Sequence, residues 1–105
     1  MTLPIGSVGG RGVISVLANI LPGEIRKLCD AMLGGDMKAA TEQHLKLFPL
    51  FKGIFVETNP IPIKAMMSMA GMIGPEVRLP LSPLADEHRG KLAEMLSPFG
   101  VEAKV

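Results

Sequence analysis

Apolar residues recur at helical spacing along most of this chain and read as a strand in one place only. Ile25, Leu28, Cys29, Met32 and Leu33 fall at i, i+3, i+4, i+7 and i+8, one face of an amphipathic helix. Pro22 stands where a first helical turn tolerates a missing amide hydrogen, so the spacing predicts a helix over 22–33. Gly34-Gly35 stops it and Asp36 is placed to cap the next. That second helix is predicted over about 37–56, with Met37, Ala40, His44, Leu47/Phe48, Phe51 and Ile54/Phe55 as its apolar stripe. Pro49 lies inside it, removes the N–H that would bond the Leu45 carbonyl, and predicts a kink. Pro60 and Pro62 suit the first turn of a third helix, which buries Ile63, Met66, Met67 and Ala70 and ends at Gly71. Arg78-Leu79-Pro80-Leu81-Ser82-Pro83-Leu84 reads as a proline-fixed connection. A last helix over about 86–96 turns His88, Leu92, Met95 and Leu96 to one side, and the tail after Gly100 is expected to fray.

The strand is Gly12-Val13-Ile14-Ser15-Val16, β-branched residues between a glycine cluster and a small polar ending. Thr2–Val8 before it reads as the tail of a helix closed by Gly9-Gly10. Apolar on both faces, such a strand suits a parallel sheet covered on both sides. Nothing else in the sequence reads as its partner, and an unpaired buried strand leaves its backbone groups unsatisfied. The expectation is that it pairs with another chain or closes a longer protein. Helix remnant, strand and helix (1–34) look like the end of a β/α alternation, and 35–105 like a three-helix appendage. The chain alone is therefore expected to be mostly α with one strand, residues 12–16.

Composition narrows the function classes. Hydrophobic residues make up 48% of 105 residues, charged residues 20%, and the net charge is +1, which fits neither a disordered segment nor a polyelectrolyte. There is no basic run, and Trp and Tyr are absent, so nucleic-acid binding is not expected. The single cysteine, Cys29, forms no internal disulfide, consistent with a reducing cytoplasm. The longest apolar run, Leu47 to Val56, is interrupted by Pro49, Lys52 and Gly53 and is far shorter than the roughly 18 residues of a membrane span. No basic-then-apolar leader opens the sequence. A soluble, cytoplasmic protein is expected.

Each residue with reactive chemistry also has a plainer reading. Lys64, an amine among apolar neighbours, is the one candidate for a Schiff base, yet a lysine on a helix face ordinarily snorkels to water. Glu57 and Asn59 are candidates for the mouth of a site, with capping and turn roles as the alternative. His44 and His88 sit on different helices without companions at ligand spacing, and no metal site is expected. Cys29 reads as a small buried hydrophobe. Met66, Met67, Met69 and Met72 read as helix packing or a subunit contact. The glycines of Gly6-Ser7-Val8-Gly9-Gly10 precede the strand, whereas a phosphate loop comes after one. Asp36, Glu42 and Glu57 lack an evident partner carboxylate for acid–base work. The residues by themselves thus nominate no catalytic, cofactor or metal residue.

Four segments, in order and spacing, carry a resemblance: Gly12-Val13-Ile14-Ser15-Val16-x-Ala18-Asn19; Gly35-Asp36 with the long helix after it; Phe55-Val56-Glu57-x-Asn59-Pro60-Ile61-Pro62-Ile63-Lys64; and Arg78-Leu79-Pro80-Leu81-Ser82-Pro83-Leu84. Together they resemble the dihydrodipicolinate synthase family, pyruvate-dependent class I aldolases of lysine (diaminopimelate) biosynthesis. The Asn-Pro-Ile-Pro and Arg-Leu-Pro-Leu segments favour the synthases over the N-acetylneuraminate lyases. The resemblance implies an α/β fold, the last strand and helix of a (β/α)8 TIM barrel followed by a helical domain. It implies a lyase that condenses pyruvate, held as a lysine Schiff base, with aspartate semialdehyde, without a cofactor and commonly as a homo-oligomer. The nucleophilic lysine and the proton relay of the family lie on earlier strands and have no counterpart here. Ile14 is the one position that carries over to the substrate site, bordering the pyruvyl group largely through main chain. A barrel needs about 250 residues, so this chain is expected to be a C-terminal portion, inactive alone, that associates with the missing barrel segment. The alternatives are a non-catalytic helical interaction module, a truncated paralogue, or part of another pyruvate-dependent aldolase.

Overall fold

The computed structural model describes all 105 residues. Five α-helices succeed one another: α1 (Thr2–Ser7), α2 (Pro22–Leu33), α3 (Met37–Gly53), α4 (Ile61–Met69) and α5 (Asp86–Leu96), with single 3-10 turns at Leu17–Asn19 and Ser97–Phe99. The chain forms two units, 1–49 and 50–105, whose boundary falls inside α3 beside Pro49.

In the first unit α1 and the 3-10 turn pack on α2. Leu3, Leu17, Ile20, Leu21, Ile25, Leu28, Met32, Ala40 and Leu47 are its buried apolar residues. Gly6 lets α1 approach α2 closely, for a Cβ there would overlap the Met32 thioether. The Asp36 carboxylate accepts the Ala39 N–H at 3.1 Å, so it caps α3 as the sequence predicts. Gln43 Nε2 donates to the Glu24 carboxylate at 2.6 Å and to the Glu24 carbonyl at 3.0 Å, joining α3 to the first turn of α2. That amide, with Lys46 and Lys27 nearby, holds the Glu24 carboxyl below its ordinary value against the opposing effect of burial.

In the second unit α4 packs on α5. Leu50, Ile54, Ile61, Pro62, Ile63, Met66, Met69, Leu84, Leu92 and Leu96 are buried. The end of α3 rests on α5, since a Cβ at Gly53 would stand 3.1 Å from Leu92 and 2.9 Å from Met95. Pro60 is the N-cap residue of α4 and Pro62 lies in its first turn. The peptide bonds before Pro60 and Pro80 are cis.

Helices α1, α2 and α4 stop in the same way. Gly9, Gly35 and Gly71 take φ of 106°, 77° and 78°, a region that costs any other residue a steric penalty. Around each, two backbone bonds close a Schellman motif: Gly9 N–H to Gly6 and Gly10 N–H to Ile5; Gly35 N–H to Met32 and Asp36 N–H to Ala31; Gly71 N–H to Ser68 and Met72 N–H to Met67.

Several expectations are corrected. The strand over 12–16 is not formed, because no second strand exists in these residues to supply its ladder. Leu33, Met37, Phe48 and Phe55 are exposed; of the expected stripe Ala40, Leu47 and, just past the end of α3, Ile54 are buried, and Leu50 joins them. Cys29 is half-buried, at the margin of the Ile25–Leu28–Met32 stripe rather than within it. Helix α3 runs through Pro49 as expected but ends at Gly53, short of the expected residue 56. Leu45 and Pro49 are both exposed, so the Leu45 carbonyl, which Pro49 cannot bond, lies on the solvent side of the helix. The C-terminal tail is tied rather than frayed, its Lys104 N–H bonding the Met69 carbonyl at 2.8 Å. No helix is long and apolar enough to cross a membrane.

Candidate functional site

Two stretches draw the chemistry-bearing residues together, one in each unit. In the first, Gly9 releases the chain from α1, and the next anchoring bonds are Ala18 N–H to Ser15 and Asn19 N–H to Val16, with the Asn19 side chain also donating to the Val16 carbonyl at 2.9 Å. Between them no backbone hydrogen bond joins Arg11 to Ile14 to the rest of the chain. Val13 is exposed and Ile14 fully so. The buried Leu17 beyond it fixes where this segment ends. Ile14 therefore sits on an open backbone edge, with amide and carbonyl groups available for a partner.

In the second unit the segments 57–62 and 78–85 converge. Glu57 accepts the Ala85 N–H at 2.9 Å, at the N-terminus of α5. The same carboxylate lies 3.8 Å from His88 Nε2, which is 3.6 Å from Glu87. Glu57, Thr58, Ile61, Pro80, Leu81 and Ser82 line a cleft of about 510 Å³. Leu84 is buried beneath this region, whereas Leu79 is 92% exposed. Glu57 thus bonds the chain 28 residues on, at the residue before α5, whereas no side chain of Thr58 or Asn59 caps α4. Sequence reasoning misses this cluster, since it leaves His88 without acidic neighbours and Glu57 without a partner. Nothing in local spacing relates the two positions.

The other candidates stay apart. Lys64 is half-buried on α4, where its backbone N–H bonds the Pro60 carbonyl. His44 on α3 stacks at a tilt against Phe48, ring centroids 5.9 Å apart. No three His, Cys, Asp or Glu side chains gather as metal ligands would. Asp36 is engaged in its cap. Met66 and Met69 are core residues, Met67 is half-buried and Met72 is exposed. The arrangement offers a shaped cleft and an open backbone edge. It brings together no nucleophile with a base.

Residues 1–98 match the model of the dihydrodipicolinate synthetase family. A 4-hydroxy-tetrahydrodipicolinate synthase of Methanocaldococcus jannaschii is 48% identical over 101 residues, which are 96% of this chain and 35% of the relative. One from Methanococcus maripaludis is 50% identical over the same share of each. Among solved structures, the dihydrodipicolinate synthase of Aquifex aeolicus superposes with a TM-score of 0.93 at 44% identity, over 99% of this chain and 36% of that one. The synthase of Thermotoga maritima gives 0.91 at 41% identity, over 94% of this chain and 34% of that one. The chain spans about a third of the length of the relatives it matches. An extended apolar segment, a glycine-capped helix after it and the paired 57–62 and 78–85 segments thus have one common home: the chain belongs to the dihydrodipicolinate synthetase family.

Proposed function

We propose that this chain is the C-terminal portion of a 4-hydroxy-tetrahydrodipicolinate synthase, a cytoplasmic lyase of amino-acid biosynthesis. The complete enzyme condenses pyruvate, bound as a lysine Schiff base, with aspartate semialdehyde. Residues 1–34 supply the last strand and helix of its (β/α)8 barrel, and 35–105 its helical domain. The observation that carries this reading is the near-complete match of this chain to one third of each relative, at a TM-score of 0.93. Residues 12–16 become a strand when neighbouring strands occupy the two edges left open here. Ile14 then borders the bound pyruvyl group through its main chain, at the C-terminal end of a strand where barrel chemistry sits. The nucleophile and proton relay come from the other two thirds, and the assembled enzyme is a homo-oligomer.

The test is to produce this chain together with the remaining two thirds of the Methanocaldococcus jannaschii relative. Condensing activity is expected only when both are present. Pyruvate with borohydride is expected to leave the mass of this chain unchanged and to label the other piece. A pyruvyl adduct on Lys64, or no activity from a stable complex of the two pieces, would overturn the reading.

A further inference from the structure

Between Gly71 and Ala85 the chain contains no regular secondary structure. Its near end is fixed by the glycine stop of α4, where Gly71 N–H bonds Ser68 and Met72 N–H bonds Met67. Met72 through Arg78 is largely exposed, and Leu81 N–H to the Arg78 carbonyl is the only backbone bond made within the strap itself. Few buried contacts and solvent-facing backbone are the physical marks of a segment that opens locally before the rest unfolds. Three things hold its far end: the buried side chain of Leu84, the bond from Ala85 N–H to the Glu57 carboxylate, and the His88 N–H that the Ala85 carbonyl accepts at 3.0 Å. Against the strap lies a cavity of about 210 Å³, lined by Ile61, Ala65 and Ser68 of α4, by Pro75, Val77 and Pro83 of the strap, and by Arg89 of α5.

We infer that residues 72–84 form a hinged flap over this cavity, with Gly71 as the fixed end and the Glu57 carboxylate as the latch. A hydrogen bond to an ionised acceptor is stronger than one between neutral groups, and this one ties the strap to the turn before α4 rather than to its own neighbours. The His88 imidazole, 3.8 Å from the same carboxylate, lies beside the latch, and the His88 backbone N–H bonds the Ala85 carbonyl. The Gly71 stop needs no side chain and persists when the latch is lost. Opening therefore lifts the middle of the strap between Gly71 and α5 and uncovers the α4 face at Ala65.

Amide exchange by NMR on the 105-residue chain tests this. In Glu57→Ala the Ala85 and Leu81 amides are expected to exchange about tenfold faster, the loss of a charge-assisted bond. The Ala70 amide and those of Leu92 and Leu96 should keep their rates. A soluble paramagnetic agent is expected to broaden the Ala65 methyl more in the variant than in the parent, which loss of a bond without opening would not produce. Unchanged Ala85 and Leu81 rates overturn the flap, as does equal acceleration at Leu92 and Leu96, which would mean global loosening. If Glu57→Ala does not fold, Glu57→Gln decides, because it retains an acceptor without the charge. A rise of about threefold confined to Leu81 and Ala85 supports the latch, and no change overturns it.

Discussion

After Ser7 and again after Met69 the chain leaves a helix through the same device, a glycine at positive φ inside a pair of crossed backbone bonds. The segments beyond the two glycines differ. Residues 10–14 run on with no hydrogen bond for the Arg11–Ile14 backbone and end with Ile14 fully exposed. Residues 72–85 are also irregular, yet Leu84 is buried and the Glu57 carboxylate takes the Ala85 amide. The first segment holds apolar side chains and unpaired peptide groups outward, as a strand awaiting its sheet does. The second satisfies its far end within its own unit. One unit thus leaves an apolar, unbonded segment at its surface, and the other has closed its longest loop itself.

Leu84→Ala should cost the most, about 2–5 kcal/mol, because a buried leucine loses its transfer energy and leaves a cavity. Denaturant unfolding monitored at second-unit amides would show it, and a cost below about 1 kcal/mol would mean that Leu84 does not anchor the strap. Gly71→Ala and Gly9→Ala should each cost about 1–2 kcal/mol, since both force a Cβ into a left-handed backbone. Equal costs would support the shared device, whereas a silent Gly9→Ala would show that the open segment relaxes around the strain. Glu24 adds a pH signature to the first unit. Its folded carboxyl titrates below the ordinary 4.5, so its contribution is complete above that value and disappears as pH falls through and below it. Glu24→Gln should therefore lose less stability than the parent between about pH 6 and pH 3, and equal losses would count against the Gln43 contact. Ile14→Ala should change stability by less than about 0.5 kcal/mol, as exposed positions do. In an assembly with the remaining two thirds of a synthase, the same substitution should weaken association measurably.

The helices are legible in the sequence because their information is local. The stripe Ile25, Leu28, Met32, the glycine stops at 34–35 and 71, and the Asp36 cap all lie within a few residues of the structure they determine. The outward turn of Leu33, Met37 and Phe48 is not legible, since several apolar residues at helical spacing compete for one face and only tertiary packing selects among them. Side-chain preference suggests the strand over 12–16, but a strand exists only as part of a ladder, and no second strand forms among these residues. Glu57 beside His88 and Gln43 beside Glu24 are pairs 31 and 19 positions apart, and no periodicity announces such meetings. The family segments around Asn59-Pro60 and Arg78–Leu84 point to the right place without revealing that a carboxylate holds them there.

The bond from Lys104 N–H to the Met69 carbonyl has a practical side. That carbonyl belongs to the last turn of α4, where no helical donor remains for it. Lys104→Pro, which removes that N–H, would leave the carbonyl to water and release residues 101–105 from the end of α4.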